Sequence, residues 1–382
     1  MPDYPPLQVA YNQPVMVGKE TEYMAQAIAG AKFSGDGPFT HKVSELLEQQ
    51  LGVHKVLLTT SCTHALEMFA LLLDIQPEDE VILPSYTFVS TVNAFVLRGA
   101  RPVFADIRPD TLNLDESRLE ALITPHTKAI IPVHYGGVGC EMDAILEIAA
   151  RHHIPVMEDN AHGLFGKYKG KYLGTFGTLA AQSFHETKNF TCGEGGALLI
   201  NDPALVERAE IIREKGTNRS RFFRGQVDKY SWVDLGSSYL PSDILAAFLL
   251  AQLDQREKVQ DHRRKVWEFY NEHLQDWARQ HAVHLPYVPP HCEQAYHMYF
   301  LLMPTLELRQ GLIMHLRQRG INSVFHYLPL HLSDMGQRFG GQLGDCPVTE
   351  RVSDQLLRLP FHNALTGTDL LKVLEAIQDY DY

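Results

Sequence analysis

From residue 50 to 200 the chain alternates short apolar runs with amphipathic stretches. The apolar runs predict strands at Val56–Thr59, Val81–Leu83, Val103–Ala105, Ala129–Val133, Pro155–Glu158, Ala181–Phe184 and Ala197–Ile200. Helical spacing of apolar residues predicts helices at Thr63–Leu73, Val89–Arg98, Glu116–Leu122 and Met142–His153. Strands that are apolar throughout have no solvent face. Alternating with helices, they predict an α/β fold with a mostly parallel central sheet covered on both sides. Ligands in such sheets bind beyond the carboxyl ends of the strands, so chemistry is sought in the residues that follow each strand.

The pattern changes after residue 242. A long helical stretch runs from Asp243 to near Arg279. Shorter strands follow at Tyr299–Met303 and Ser323–His326, with a helical stretch at Leu308–Arg319 between them. The expected division is a large domain over 1–242 and a smaller C-terminal α+β domain over 243–382, with the long helix as the link.

Composition narrows the classes. With 382 residues, 45% hydrophobic and 21% charged, the chain is an ordinary globular protein. No apolar run reaches the ~18–20 residues of a membrane helix. The start, Met1-Pro2-Asp3-Tyr4-Pro5-Pro6, lacks the basic and apolar regions of a secretion signal, so the cytoplasm is the expected location. A net charge of −12 argues against nucleic acid as a partner. The five cysteines (Cys62, Cys140, Cys192, Cys292, Cys346) form no C-x-x-C pair. Pairs such as His281 and His284 lack carboxylate or thiolate company, and no metal site is expected.

Four strand-end features carry candidate chemistry. Thr59-Thr60-Ser61-Cys62-Thr63-His64 opens a helix, where small hydroxyl residues cap the end or, with free N–H groups, hold a phosphate. Pro84-Ser85-Tyr86-Thr87-Phe88 offers aromatics that pack in the core or stack on a flat ring. Glu158-Asp159-Asn160-Ala161-His162 ends a buried strand in two acids, each costly there unless paired. A carboxylate at this place pairs within the protein or keeps a pyridine nitrogen protonated. Last, Ser183-Phe184-His185-Glu186-Thr187-Lys188 precedes the glycine-rich turn Cys192-Gly193-Glu194-Gly195-Gly196. Most lysines are solvated, but one in a partly desolvated pocket has a lowered pKa and forms Schiff bases.

In this order, over nearly the whole chain, these features resemble the DegT/DnrJ/EryC1 family of sugar aminotransferases, a branch of the fold-type-I pyridoxal-phosphate (PLP) transferases. The resemblance extends to Gly35-Asp36-Gly37, Asp106, Pro132-Val133-His134, Phe325-His326-Tyr327-Leu328-Pro329-Leu330-His331 and Arg358-Leu359-Pro360. Within the family, the stretch from Lys215 to Asp243 is similar to a subgroup acting on dTDP-4-keto-6-deoxy-D-glucose. That stretch carries Lys215, Arg219, Arg221, Arg224 and Lys229, opposed within the run by Asp228 alone. Such a run is a solvated face or a receptor for a nucleotide diphosphate.

The resemblance implies PLP as cofactor and Lys188 as its covalent anchor and proton carrier. It assigns Asp159 to the pyridine nitrogen, His162 to the ring hydroxyl or face, and Phe88 to stacking. Thr63 and His64 would hold the phosphate through backbone N–H groups, with Ser183 adding a hydroxyl. His185 and Glu194 would share the pocket. Lys215, Arg219, Arg224, Lys229, His326 and His331 are the implied substrate contacts. The implied partners are L-glutamate, a nucleotide-linked keto sugar and a second subunit in a homodimer. The expected product is dTDP-4-amino-4,6-dideoxy-D-galactose. Two positions depart from relatives: Leu240 replaces an asparagine that reaches the neighbouring phosphate, and His64 replaces glycine or alanine. The alternatives are amination at C3 of the sugar, a PLP-dependent dehydratase, and a non-catalytic sensor or scaffold. The dehydratase branch carries histidine at the Lys188 position, and a scaffold would be expected to lose Lys188 or Asp159.

Overall fold

The computed structural model describes residues 5–381. Met1–Tyr4, part of the stretch read for a secretion signal, and Tyr382 lie outside the described residues. All seven expected strands form, with small shifts at their ends. They are β1 Lys55–Thr59, β2 Glu80–Pro84, β3 Arg101–Ala105, β4 Thr127–Ile130, β5 Met157–Asp159, β6 Leu179–Ser183 and β7 Gly196–Ile200. Their spatial order is β3-β2-β4-β5-β6-β7-β1, where β4 meets β5 through bridges at Ile130–Val156 and Val133–Asp159. Neighbours are parallel except at β7, which is antiparallel to both β6 and β1. β7 therefore enters the sheet where β1 and β6 leave it, and Gly196 stands opposite both Thr59 and Ser183.

Helices α1 Glu20–Ala29, α2 Pro38–Leu51, α3 Cys62–Leu72, α4 Val89–Val96 and α5 Met142–Arg151 cover the sheet. Strand side chains alternate between its faces. Leu57, Leu198 and Ile200 pack with Ala65, Phe69 and Phe95 of α3 and α4. Val56, Leu58 and Leu199 pack with Val43 and Leu47 of α2. Both sets are buried, which is why these strands read as unbroken apolar runs.

The long helical stretch breaks into α6 Asp243–Asp254, α7 Arg256–His273 and a short helix at Gln275–Gln280. Ala246, Ala247 and Leu250 of α6 join the core of α1 and α2 beneath the sheet. α7 makes the crossing. Its Val259 lies in that core, while Val266 and Tyr270 lie in a second one with Leu301, Leu316, Leu357 and Val373. This second core is built on three short antiparallel strands, β8 Phe300–Leu302, β9 Val324–Phe325 and β10 Leu356–Arg358, with β10 in the middle. The N-terminal segment also lies here, since Val9 bridges to Ile321 and Tyr11 O accepts from Phe361 N–H.

Two aspartates act as helix caps over long sequence distances. Asp106 accepts from Val348 N–H at 3.0 Å and from Thr349 N–H at 2.8 Å, at the start of the helix Pro347–Gln355. Asp243 accepts from Phe39 N–H at 3.2 Å and from Thr40 N–H at 2.7 Å. The N-cap of α2, Gly37, has no side chain to do this. A Cβ on Gly37 would lie 2.3 Å from the Asp243 carboxyl carbon, so the Gly35-Asp36-Gly37 turn serves the close approach of Asp243. Asp243→Ala and Gly37→Ala are each expected to cost roughly 2 kcal/mol in urea unfolding. The double variant should cost clearly less than the sum, because both break one contact. Additive losses would count against the shared cap.

Candidate active site

The strand exits converge on one edge of the large sheet. After β1, Ser61 N-caps α3 and its Oγ accepts from His64 N–H at 3.1 Å. The N–H groups of Cys62 and Thr63 come earlier in the helix and have no carbonyl within it to bond. They face outward at the positive end of α3, the geometry of an anion site. Gly196 makes room for this turn, since a Cβ there would fall 2.3–2.5 Å from the backbone of Ser61 and Cys62. Thr63 Oγ1 is 2.8 Å from Ser90 Oγ. His64 is committed elsewhere. Its Nδ1 meets Thr60 Oγ1 and its ring packs 5.0 Å from that of Tyr239. The His64 N–H is thus taken by Ser61 Oγ, and the N–H groups left without a partner in the helix are those of Cys62 and of Thr63, the latter one of the expected pair.

Asp159 ends β5 in a buried position. Its carboxylate accepts from Thr91 Oγ1 at 2.8 Å and Ala161 N–H at 3.1 Å. Burial pushes its pKa up, against the pull of those hydrogen bonds and of Lys188. Lys188 sits in the turn after β6, where its N–H bonds His185 O at 2.9 Å. Desolvation lowers the Lys188 amine to about 8, while Cys62 and Asp159 oppose that shift. Lys188 shares a small cleft with Ser183, Gln182, Asn189, His162 and His297.

Three imidazoles form a row beside it. The rings of His162 and His297 stack at 4.1 Å, and His326 lies 6.1 Å from His162. Burial drives all three toward the neutral form, with Lys188 and Arg358 adding to the effect. His297 Nδ1 is 3.0 Å from Asn189 Oδ1, whose amide nitrogen donates to Ala295 O at 2.6 Å and Gln260 Oε1 at 3.0 Å. His326 Nδ1 meets Tyr135 Oη at 2.7 Å. His162 Nδ1 is buried without a hydrogen-bond partner, as suits a group awaiting a ligand. Phe88 is 56% exposed at the start of α4, its ring 6.4 Å from that of Tyr327, so a ring face is available.

Other expected site residues lie apart from this cleft. His331 is fully buried between Ser85 Oγ at 2.6 Å and Glu350 Oε1 at 3.0 Å. Both ring nitrogens are occupied, so it is a strut rather than a substrate contact. His185 pairs with Thr187 Oγ1 at 2.9 Å and faces Glu194 at 3.5 Å, and both members of that pair are solvent-accessible. Lys215, Arg219 and Arg224 line a cavity of about 770 Å³ that contains neither Lys188 nor Asp159. Lys229 is exposed and does not line that cavity. The basic run is also less basic than its own sequence indicates. Glu214 meets Lys215 at 3.2 Å and Arg219 at 3.0 Å, and Glu210 takes Arg224 at 2.7 Å. These acids stand outside the run, on the preceding helix and at its end. The sequence reading also missed Cys62, Thr91, Tyr135, Asn189 and His297. Cys62 and Asn189 stand beside residues already singled out. Thr91, Tyr135 and His297 arrive only through tertiary packing.

The arrangement supplies what PLP requires: an anion site, a carboxylate for the pyridine nitrogen, a poorly solvated amine for the aldehyde, and flat surfaces for the ring. A model of the DegT/DnrJ/EryC1/StrS aminotransferase family matches residues 14–378. The spore coat polysaccharide biosynthesis protein SpsC of Bacillus subtilis is 31% identical over 377 residues, 97% of this chain and 96% of its own. The aminotransferase TlmJ of Streptoalloteichus hindustanus superposes with a TM-score of 0.89 at 30% identity, covering 97% of this chain and 98% of its own. Spr1654 of Streptococcus pneumoniae, solved in its PLP form, gives a TM-score of 0.89 at 25% identity over 98% of each chain. This chain therefore belongs to the DegT/DnrJ/EryC1/StrS aminotransferase family, and it is a PLP-dependent aminotransferase of fold type I.

Proposed function

We propose that the protein moves an amino group from L-glutamate to a nucleotide-linked keto sugar, with dTDP-4-keto-6-deoxy-D-glucose as the acceptor and dTDP-4-amino-4,6-dideoxy-D-galactose as the product. The observation that carries the transamination is the Lys188 amine at about 8, buried beside Asp159 in a cleft of neutral imidazoles. The sugar is supported by the polysaccharide-biosynthesis relative and by the likeness of the Lys215–Asp243 stretch to the C4-aminating subgroup. The C3 reading remains the alternative within the family.

PLP, when bound, supplies an aldehyde to carry the amino group and a ring that withdraws electrons. In this reading the first turn of α3 holds the phosphate. Asp159, fixed by Thr91 and Ala161, would accept a hydrogen bond from the protonated pyridine nitrogen. Phe88 and His162 would offer the ring flat surfaces, and Ser183 would add a hydroxyl. Lys188 would anchor the cofactor, and its amine would carry the proton at the substrate carbon. An amine near neutrality can both accept and return that proton at physiological pH. The neutral imidazoles add no charge that would compete with Asp159.

The homodimer is part of the same proposal. Phe223, Trp232, Val233 and Leu235 are each between 49% and 77% exposed on one segment, an apolar surface that suits burial by a second copy. The same segment borders the cavity of Lys215, Arg219 and Arg224, where a nucleotide diphosphate would have to compete with Glu210 and Glu214. Among the described residues no helix is long and apolar enough to cross a membrane, and the cytoplasm is the location that suits this reading.

Two measurements test the proposal. Borohydride-fixed incorporation of PLP into apoprotein should speed up roughly tenfold between pH 7 and pH 9, with a midpoint near 8, as the neutral amine fraction rises. Lys188→Ala should show no fixed adduct, and a midpoint near the ordinary lysine value would sink the desolvated-amine argument. An assay against 3-keto and 4-keto sugar nucleotides, with NMR of the product, should give the 4-amino sugar. A 3-amino product would move the protein to the alternative reading.

A further inference from the structure

His64 gives no backbone donor to the anion site, since Ser61 Oγ takes its N–H at 3.1 Å. Its side chain nevertheless closes a ring of three contacts around the turn that carries the site. Nδ1 meets Thr60 Oγ1. The imidazole packs 5.0 Å from the Tyr239 ring at an interplanar angle of 53°. Tyr239 O in turn accepts from Thr60 N–H at 2.9 Å. Thr60 is thereby held by side chain and main chain at once, immediately before the N-cap Ser61.

Tyr239 is itself anchored. It is buried, and its N–H donates to Arg213 O at 3.2 Å. Its hydroxyl donates to Glu67 Oε2 at 3.3 Å, about one turn along α3 from His64. Burial and the Glu67 charge push that hydroxyl up to about 12, so it stays a donor. On the other side of the turn, Thr59 Oγ1 donates to Ser61 O at 2.7 Å, and Gly196 lies against the backbone of Ser61 and Cys62. The turn cannot rotate without breaking one of these contacts. Its orientation sets where the unpaired N–H groups of Cys62 and Thr63 point. Donors fixed before a ligand arrives leave less ordering cost to binding.

We propose that His64 is a positioning residue for the cofactor phosphate, holding the Thr60–Ser61 turn against Tyr239 so that the Cys62 and Thr63 N–H groups stay aimed at the anion. The proposal rests on the reading that the first turn of α3 receives the phosphate. It adds that the affinity of this site is set outside the donors, by a side chain turned toward Thr60 and Tyr239. None of the three contacts involves Lys188, so loss of His64 acts on the phosphate end of the cofactor and spares the aldehyde end.

The test is equilibrium binding of PLP, pyridoxal and inorganic phosphate to apoprotein. His64→Ala should weaken PLP and inorganic phosphate roughly tenfold and leave pyridoxal within about twofold. Thr60→Val keeps the side-chain shape without the hydroxyl and should weaken the same two ligands about threefold. The double variant should bind little worse than His64→Ala, because both changes break one contact. His64→Asn sets an amide near the place of Nδ1 and should regain most of the PLP affinity, whereas His64→Leu should not. An unchanged PLP affinity in His64→Ala, equal losses for PLP and pyridoxal, or equal rescue by Asn and Leu would overturn the assignment. If His64→Ala does not fold, Thr60→Val with the same three ligands decides. Wild-type apoprotein that binds pyridoxal as tightly as PLP overturns the phosphate reading beneath, an outcome seen without any variant.

Discussion

Desolvation of the Lys188 amine is the constraint around which the site is built. A buried ammonium is costly, so burial favours the neutral amine and draws it to about 8. Asp159 answers with the opposite need, because burial raises its pKa while the lysine charge lowers it. Each group moderates the shift of the other. The remaining neighbours avoid disturbing that balance, since His162, His297 and His326 are held neutral by the same burial. A charged histidine in this row would push the amine further down and compete for the carboxylate.

Keeping Asp159 in place requires a second buried acid, one residue earlier. Successive strand residues point to opposite faces, so Glu158 projects away from Asp159. It accepts from Phe176 and Gly177 N–H at 2.7 Å each, from Gly174 N–H at 2.8 Å, and from His134 Nε2 at 2.8 Å. Cys140 N–H bonds His134 Nδ1 at 3.2 Å, which leaves Nε2 to donate. Every oxygen of Glu158 is satisfied within the protein, which makes a fully buried carboxylate tolerable. Its backbone donors come from the segment that enters β6, and its side-chain donor, His134, follows β4. The pair Glu158 and His134 thus ties β5 to its neighbours and fixes the strand end from which Asp159 projects.

What was legible in the sequence followed local rules. Strands buried on both faces announce themselves as apolar runs, and Lys188, Asp159 and the α3 start could be placed by their position after such runs. The reversal of β7 was not legible, because Gly-Ala-Leu-Leu-Ile is buried throughout and an unbroken apolar run carries no sign of strand direction. His331 shows the opposite error. It sits in a stretch matching the family and looks chemical, yet Ser85 and Glu350, far away in sequence, use both of its nitrogens. The basic run misled for the same reason, since Glu210 and Glu214 lie just outside the window in which charges were counted. Asp106 and Asp243 were noticed as motif residues, but their role as caps for helices that start elsewhere in the chain depends on tertiary contact. Charge and hydrogen-bond partners are set across the fold, so a linear reading finds the groups and misses their commitments.

The reacting lysine is held by both cores. Asn189, next to it, ties the Lys188 turn to Gln260 on α7 and to Ala295, while accepting from His297. His297 in turn supports the ring of His162 at 4.1 Å. Arg358 ends β10 with its guanidinium 4.7 Å over the Tyr11 ring, and the N-terminal segment is stitched to that smaller sheet. The large sheet therefore provides the anion site, the carboxylate and the lysine, and the smaller unit sets the wall they face. A displacement of the smaller unit would carry His297 and Arg358 with it while leaving Asp159 on its strand. The geometry of the Lys188 cleft is then a property of how the two cores meet, and α7, with Val259 in one and Tyr270 in the other, is the element that joins them.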